Sequence, residues 1–544
     1  MRLLDLPLNF RRRHAPAATA NNTAPRRAPA GTANETGPHH APAATANNTP
    51  PRRAPAGTAN ETASRTPAGS VAAQTAVPQR TRTATTSRAA SRRARTATAS
   101  NTAPRRARAD KAGSRARAGA VAALAALSLV LAGCGADSDD GAGGGDGKTL
   151  RLWHYESATS AMGIAWTEAI KQFEASHPGV KVQFEPKGFE QIRQSANMIL
   201  NSDEAPDLME YNKGNASAGL LSKQGLLTDL TEEAGKRGWD KIGPSLQTTS
   251  KYDAEGIMGG GKWYGVPNYA EYVMVYYNKD LFAKHNVRVP TTLAEFEAAM
   301  DTFVKAGVTP LSVGGAEYPA QQILYELALA KANRSFVDNF QLYKGKVDFK
   351  GPELTYAATT FADWVKKGYI DKNSAGIKAE GMGVAFTQGK FPMVVSGSWW
   401  YGRFVSEAKF EWSTFLFPGN TLHPGSGGNI WVVPKNAKNA SLAYDFIDIT
   451  MKPEIQNLLG NSGGVPVLAD PGAITDPKSK ELIDNFDKVT STDGLAFYPD
   501  WPAPGYYDVL VAGVQHLING TKSPEAVLDE IAKPYDDNLA SLGK

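Results

Sequence analysis

The sequence predicts an α/β fold with a mostly parallel sheet in residues 148–544, a length that suffices for two lobes or domains. Strand-like segments alternate there with helical patterns. All ten Trp and all nineteen Tyr lie after residue 150, so the apolar area that a core needs is confined to this part. The single Cys excludes a disulfide framework within the chain.

The first elements follow from periodicity, in chain order. Residues 149–155 (TLRLWHY) alternate as a strand does, and residues 164–176 place Trp166, Ile170 and Phe173 at helical spacing before a His-Pro-Gly stop. The pattern continues with a strand over 180–184, a helix over 189–201, a buried strand over 206–211 and a helix near 216–223. Strands separated by helices of this length predict parallel pairing.

In a parallel α/β sheet, ligands bind beyond the carboxyl ends of the strands. After the first predicted strand come His154, Tyr155 and Glu156. After the third come Tyr211, Asn212 and Lys213. The sequence therefore predicts that these two groups of residues lie close together and face a ligand.

Residues 1–117 form a basic low-complexity tail that cannot build a core, and we expect it to be disordered. Residues 14–36 recur almost unchanged at 40–62, without an apolar face that could stack as a solenoid does. Residues 1–133 carry a net charge of +17, whereas residues 134–544 carry −12. The tail lacks aromatic residues interleaved with its Arg pairs, so nucleic acid is not indicated as a partner, and the true translation start could lie downstream.

Residues 118–134 read as an export signal, with a basic flank, a short apolar run and small residues before Cys134. Residues 131–134 (LAGC) resemble a bacterial lipobox. That resemblance implies that Cys134 receives a diacylglycerol and that the chain is cut before it. Residues 135–147 form a flexible linker, so we expect the folded part at the extracellular face of the cell membrane, on a lipid anchor.

Five later segments carry a family resemblance. They are residues 261–282 (GKWYGVPNYAEYVMVYYNKDLF) with 289–296, residues 383–400 (GVAFTQGKFPMVVSGSWW), residues 427–434 with 439–459, residues 463–466, and residues 520–528. Their order resembles that of the bacterial extracellular solute-binding proteins of family 1, which are ABC-importer sugar-binding lipoproteins similar to maltose-binding protein. The resemblance covers 148–544.

The resemblance implies a two-lobed, periplasmic-binding-protein-like fold with a hinge and an interlobe cleft. We place the chain crossings near Asn268, Ser426 and Asn485. Lobe 1 is then 148–268 plus 427–485, and lobe 2 is 269–426 plus 486–544. Closure of the lobes on a ligand is a hinge motion.

Aromatic rings lie flat on the apolar face of a sugar, while polar groups bind its hydroxyls. We expect one of Trp399 and Trp400 in the cleft and the other packed, with Trp400 favoured as the inner one, because neighbours on an extended segment point opposite ways. Trp501 lies in a Pro-rich loop, where either cleft binding or core burial is possible. The full set of candidate ligand-binding residues is His154, Tyr155, Glu156, Glu210, Tyr211, Asn212, Asn268, Tyr269, Glu271, Glu317, Tyr318, Trp399, Trp400, Gly428, Asp500 and Trp501.

Enzyme motifs fit poorly. The G-x-S-x-G at 460–464 follows a predicted helix, whereas a nucleophile elbow follows a strand. The His residues lack zinc-ligand spacing, so no metal, cofactor or catalytic residue is expected. We therefore predict a monomeric binding protein that delivers a small carbohydrate, in the form of an oligosaccharide, to an ABC-type permease. The alternatives are a peptide or polyamine ligand, or a secreted glycan-active enzyme.

Overall fold

The computed structural model describes residues 146–544, and the basic tail, the apolar signal and Cys134 lie outside the described residues. The strands are β1 (Thr149–His154), β2 (Lys181–Pro186), β3 (Leu208–Tyr211), β4 (Lys251–Tyr252), β5 (Lys262–Trp263), β6 (Val266–Pro267), β7 (Ala270–Asn278), β8 (Leu311–Ser312), β9 (Met393–Gly397), β10 (Trp412–Phe415), β11 (Gly425–Gly427) and β12 (Ile430–Val432).

Helices fill the intervals between the strands. They are α1 (Ala161–Ser176), α2 (Phe189–Leu200), α3 (Leu220–Lys223), α4 (Thr231–Arg237), α5 (Pro244–Gln247), α6 (Lys279–Lys284), α7 (Leu293–Lys305), α8 (Pro319–Leu329), α9 (Arg334–Leu342), α10 (Pro352–Lys366), α11 (Ala379–Thr387), α12 (Tyr401–Glu407), α13 (Ala440–Thr450), α14 (Pro453–Asn461), α15 (Pro477–Ser491), α16 (Tyr506–Asn519) and α17 (Pro524–Ser541). Within residues 146–544, none of these helices has the length and apolar character to cross a membrane.

The first sheet has the strand order β2-β1-β3-β12-β6. β1 pairs in parallel with β2 and β3, and in this register Leu152 lies opposite both Phe184 and Leu208. β12 joins antiparallel to β3 and to β6. The predicted α/β arrangement is confirmed, and the carboxyl ends of β2, β1 and β3 lie at one edge.

The second sheet has the order β10-β7-β9-β8, and β11 also pairs with β7. β7 is antiparallel to β10, β9 and β11, and β8 pairs in parallel with β9. The second sheet is therefore mixed, with β7 antiparallel to its neighbours and β8 parallel to β9.

The chain passes between the two sheets at short segments. It leaves the first sheet after β6, at Asn268, and it returns between β11 and β12, at Gly428 and Asn429. Asn485, near which we placed a third crossing, lies inside helix α15. That helix already contacts the second sheet, because the Tyr272 hydroxyl on β7 donates to the Leu482 carbonyl over 2.9 Å.

Local capping explains where two predicted helices begin. The Ser160 hydroxyl accepts from the Gly163 amide over 3.0 Å, so α1 starts at Ala161 rather than at the predicted residue 164. The helix predicted near 216–223 starts instead as a π-helical turn, Asn215–Gly219, which α3 continues. Gly214 precedes that turn with φ of +93°, a conformation that favours glycine.

Candidate functional site

A cavity of about 430 Å³ lies where the carboxyl ends of the first sheet meet residues of the second sheet and of the 498–507 segment. Its volume falls in the range of about 300–1,000 Å³ that is usual for small-ligand sites. We call it the central cavity. Ten of the sixteen predicted ligand-binding residues line it, namely Tyr155, Glu156, Asn212, Glu271, Glu317, Tyr318, Trp399, Trp400, Asp500 and Trp501.

The other six predicted residues lie outside the lining. His154 is buried between ring neighbours, stacked on Phe184 at 4.1 Å and edge-on to Trp431. Burial lowers the pKa of His154 to about 3, so its ring is neutral. Tyr211 is also buried, and burial raises its pKa. His154 and Tyr211 end β1 and β3, one position before residues that do line the cavity.

Asn268, Tyr269, Gly428 and Glu210 lie in the layer behind the cavity wall. The Tyr269 hydroxyl accepts from the Asn429 amide over 2.8 Å, and Asn429 itself lines the cavity. A Cβ on Gly428 would come within 2.5 Å of the Tyr269 ring, so glycine is needed for that close contact. The Asn268 carbonyl accepts from Gln456 over 2.6 Å, which ties the crossing to α14.

The two neighbouring indoles lie on a 3₁₀ turn, Ser398–Trp400, and not on the extended segment that we assumed. Both line the cavity, whereas we expected one in the cleft and one packed, with Trp400 favoured as the inner one. Trp399 is the more exposed and donates from Nε1 to the Tyr318 hydroxyl over 3.1 Å. Trp400 is 4% exposed and stacks on Phe404 with a centroid distance of 5.5 Å.

Trp501 combines the two roles that the sequence left open, since it is 1% exposed and still lines the cavity. Its ring lies 4.9 Å from the Tyr498 ring. On the other side it covers Gly214, where a Cβ would come within 2.5 Å of the indole. Trp501 is thus a wall of the cavity whose position depends on the glycine before the π-helical turn.

A buried ion pair joins Lys213 to Glu271 on the cavity wall, and the Lys213 ammonium also donates to Asn429 over 3.1 Å. The same ammonium lies 5.4 Å from the Tyr498 ring centroid and 5.3 Å from that of Trp501. A desolvated charge is tolerated where a counter-ion, hydrogen bonds and aromatic faces together replace water. Lys213 therefore holds Glu271, Asn429 and both rings in one arrangement.

Glu156 and Glu210 form a second acidic group next to that pair. Burial raises the pKa of Glu156 to about 7 and that of Glu210 well above its ordinary value. The Glu156 carboxyl raises the pKa of Glu210 further, whereas Glu210 lowers that of Glu156. Neither Glu210 oxygen accepts from a donor in residues 146–544. Burial and the neighbouring Glu156 carboxyl therefore favour the protonated form of Glu210. Glu156 also accepts from the Ser160 hydroxyl over 3.1 Å.

Asp500 faces the cavity from the Pro-rich loop, and burial raises its pKa to about 6. Within residues 146–544 it forms no ion pair. Nearby, Glu190 accepts from the Tyr507 hydroxyl over 2.5 Å and pairs with Arg193 over 2.9 Å. Arg193 also reaches Asp508 over 2.9 Å. This cluster joins α2 to α16 at the edge of the cavity.

The remaining cavity carboxylates have their own cations. Arg403 pairs with Glu380 over 2.8 Å and with Glu407 over 3.3 Å. Glu317 accepts from the Ala379 amide over 2.9 Å and lies 3.7 Å from the Lys378 ammonium. Within residues 146–544, no group of three or more His, Cys, Asp or Glu could hold a metal ion. The cavity thus offers aromatic faces and oxygen acceptors for a polar, partly apolar ligand.

Lys213, which the strand-end rule predicted to face a ligand, also lines the cavity. Twelve further lining residues were not predicted, and they are Ser157, Ser160, Gly188, Phe189, Glu190, Gln322, Ala379, Glu380, Arg403, Asn429, Tyr498 and Tyr507. Gly188 to Glu190 follow β2, so the rule about strand ends could have found them if applied to that strand. Asn429 and Tyr498 lie one and two residues from predicted positions. Nothing in the local sequence pattern of Arg403 or Gln322 separates them from solvated helix residues.

The comparisons with known proteins agree with this arrangement. A sequence profile described as bacterial extracellular solute-binding protein matches residues 168–484, more than half of the chain. A probable sugar-binding periplasmic protein of Rhizobium meliloti is 29% identical over 207 residues, 36% of this chain and 47% of that one. The alignment therefore spans about half of that relative's length.

A maltooligosaccharide ABC transporter solute-binding lipoprotein of Streptococcus pneumoniae is 25% identical over 294 residues, 52% of this chain and 64% of that one. Among solved structures, a chitin oligosaccharide binding protein superimposes with a TM-score of 0.63 at 23% identity, covering 73% of this chain and 100% of that one. At that identity, the likeness supports the two-lobed fold alone. With the profile match over most of the folded part, the chain belongs to the bacterial extracellular solute-binding proteins.

Proposed function

We propose that this protein captures a carbohydrate, in the form of a short oligosaccharide, in the central cavity and delivers it to the membrane permease of an ABC importer. One observation carries the proposal. Trp399, Trp400 and Trp501 line a single cavity together with carboxyl and amide oxygens. Such a surface matches a sugar, which has flat C–H faces and a rim of hydroxyls.

The polar groups fit hydroxyl recognition. Asn212, Glu317 and Asn429 are held by the protein and still contribute to the lining. A group held in place binds without a further loss of side-chain entropy. The names of the relatives add weight, since those reported above are a probable sugar-binding protein and an oligosaccharide-binding lipoprotein.

The same proposal includes the division into lobes. Lobe 1 is 148–268 plus 427–485 and lobe 2 is 269–426 plus 486–544, with the cavity between them. Ligand contacts both lobes only when they are closed, so binding shifts an open–closed equilibrium. The position of the cavity between the two sheets supports this division.

Trp399→Ala tests the role of the cavity directly. Isothermal titration of the purified folded part against a panel of mono-, di- and trisaccharides should identify a ligand, and Trp399→Ala should weaken that ligand about tenfold or more, since one stacked ring contributes about 1 kcal/mol beyond its buried area. Trp153→Ala is the matched control, because Trp153 is also half-buried but lies outside the lining. Binding of peptides or polyamines with no response to any sugar would overturn the proposal, and turnover of a sugar would indicate an enzyme.

The anchor is tested on the full chain. We propose that Cys134 is lipidated and becomes the first residue of the exported protein, which then stays at the outer face of the cell membrane. Metabolic labelling with a fatty acid should mark the wild-type protein, and Cys134→Ser should abolish both the label and membrane retention. A mature protein that retains residues before 134, by terminal sequencing, would contradict this assignment.

A further inference from the structure

The central cavity carries an excess of negative charge. Its lining contains six carboxylates and only two cations, and these are Glu156, Glu190, Glu271, Glu317, Glu380 and Asp500 against Lys213 and Arg403. Four of the carboxylates have a cation within ion-pair distance. These ion pairs are Lys213 with Glu271, Arg403 with Glu380, Arg193 with Glu190, and Lys378 with Glu317.

Glu156 and Asp500 are the two lining carboxyls that have no such cation in the described part of the chain. Within residues 146–544, neither has a basic side chain within ion-pair distance, and both share the weaker influence of Lys213. Behind Glu156 lies the Glu210 carboxyl, which is 1% exposed and adds a third acid to the same region. The cavity is therefore short of positive charge at these two carboxyls.

A second observation points to an unsatisfied ligand site. Trp400 and Tyr498 line the cavity, each 4% exposed, and the indole Nε1 and the phenol oxygen have no hydrogen-bond partner in residues 146–544. Polar atoms this deeply buried are nearly always bonded in proteins. Their polar neighbours are the Tyr318 hydroxyl beside Trp400 and the Glu271 carboxyl beside Tyr498. A ligand in the cavity can supply the missing acceptor for the indole and a partner for the phenol.

We propose that the ligand is a carbohydrate bearing a basic amine, and that its ammonium group supplies the charge missing beside Glu156 and Asp500. This rests on the proposed function. A neutral sugar would exclude water from both carboxyls without giving either a counter-ion, which is costly for a buried charge. An ammonium group forms charge-assisted hydrogen bonds with them and is also stabilised by the faces of the surrounding aromatic rings.

Binding of an ammonium group beside these two carboxyls also changes their protonation. Burial raises the pKa of Glu156 to about 7 and of Asp500 to about 6, so near pH 6 both are partly protonated in the empty cavity. The charged groups that act on Glu156 are Glu210, Glu271 and Lys213, and those that act on Asp500 are Lys213, Arg193 and Glu190. A bound ammonium favours the ionised carboxyls, so binding of the amine at pH 6 releases protons.

The test titrates the full chain with matched sugars at pH 6. Glucosamine oligosaccharides are compared with their N-acetylated and hydroxyl counterparts, in α- and β-linked forms, and spermidine is included as an amine that is not a sugar. Titration calorimetry gives affinity, and repetition in buffers of different ionisation enthalpy gives the protons released. We expect at least one amine sugar to bind about tenfold more tightly than both neutral counterparts, with proton release.

Asp500→Asn and Glu156→Gln should each reduce the preference for the amine sugar to about threefold or less, equivalent to about 0.7 kcal/mol. Asp536→Asn and Glu454→Gln are the matched controls, because both residues are exposed, form no ion pair in residues 146–544 and lie outside the lining. Neutral sugars that bind as tightly as amine sugars would overturn the inference and leave the proposed function intact. Spermidine binding alone, or no binding by any sugar, would overturn both.

Discussion

Lys213 is the residue on which the charge balance of the cavity wall depends. It is 2% exposed and is paired with Glu271, which is 3% exposed. The ammonium also bonds to Asn429 and lies near two aromatic rings. Removal of one partner from such a pair leaves the other charge buried without compensation, and this costs more than the pair itself contributes.

Lys213→Met should therefore destabilise the protein by about 3 kcal/mol at pH 7, measured by urea unfolding. The double variant Lys213→Met with Glu271→Gln should recover part of that loss, because no buried charge is then left alone. Lys236→Met is the surface control, since Lys236 pairs with Glu232 in the open, and its effect should stay within about 0.5 kcal/mol. If Lys213→Met lowered the free energy of unfolding by less than about 1 kcal/mol, this would mean that water already reaches Glu271.

Glu156 gives the protein a pH dependence whose sign follows from its raised pKa. The Glu156 carboxyl keeps its proton up to about pH 7 in the folded protein, whereas it loses the proton near pH 4.5 in the unfolded chain. The folded state therefore binds more protons between pH 4.5 and pH 7. Stability therefore falls as pH rises through that window. Buried His154 acts in the opposite direction below about pH 6.5, because its pKa is lowered to about 3.

A comparison of variants isolates the Glu156 contribution. Glu156→Gln mimics the protonated carboxyl and should match the wild type near pH 4.5. As the pH rises, the variant should become more stable than the wild type, by up to about 3 kcal/mol in free energy of unfolding at pH 8 in the absence of ligand. Denaturant unfolding at four pH values between 5 and 8 measures the difference. A difference that is constant over this range would show that Glu156 titrates in the folded protein as it does in water.

At the scale of the element, helix α11 sets the position of Trp400. Gly383 lies in this helix against the indole, and a Cβ there would come within 2.1 Å of the ring. The ring has little room to move, because Phe404 stacks on it and the Arg403 guanidinium lies 4.6 Å from its centroid. Glycine at 383 is therefore required by close packing and not by its backbone freedom.

Gly383→Ala should destabilise the protein by about 2 kcal/mol and weaken ligand binding, since overpacking forces Trp400 out of its place. Gly381→Ala in the same helix is the matched control. Gly381 is exposed, and its new Cβ would meet only Ile377 at an ordinary 3.4 Å, so the better helix propensity of Ala should stabilise by up to about 0.8 kcal/mol. Thermal unfolding and calorimetry of the pair measure both effects, and equal behaviour of the two variants would refute the packing argument.

A comparison of the predicted and observed elements shows which of them sequence patterns can predict. β1, α2 and β3 are confirmed within about two residues, because alternation and helical spacing report which face is buried. The Ser398–Trp400 turn was missed, since a 3₁₀ turn of three residues has no period of its own. Gly188 to Glu190 were within reach of the strand-end rule, but Arg403 and Gln322 come to the cavity only through tertiary packing.

At the scale of the whole molecule, contacts across the cavity hold the proposed lobes together. Arg193 on α2 pairs with Asp508 on α16, and its guanidinium lies 4.1 Å from the Tyr507 ring. On the other side, the Thr159 hydroxyl donates to Glu407 on α12 over 3.1 Å. Neither Arg193 nor Thr159 lines the cavity, so both can influence closure without touching ligand.

Arg193→Ala should shift the open–closed equilibrium toward the open form, because Asp508, Glu190 and Tyr507 all lose their contact with it. Apparent affinity falls in proportion to the fraction of closed protein, so we expect a loss of about tenfold together with a larger radius of gyration by X-ray scattering. Arg237→Ala is the matched control, since Arg237 joins Asp445 and Asp448 on α13 within the first proposed lobe. The control should lower stability and leave affinity unchanged. If Arg193→Ala also left affinity and radius unchanged, the pair with Asp508 would be a surface contact and closure would depend on the ligand alone.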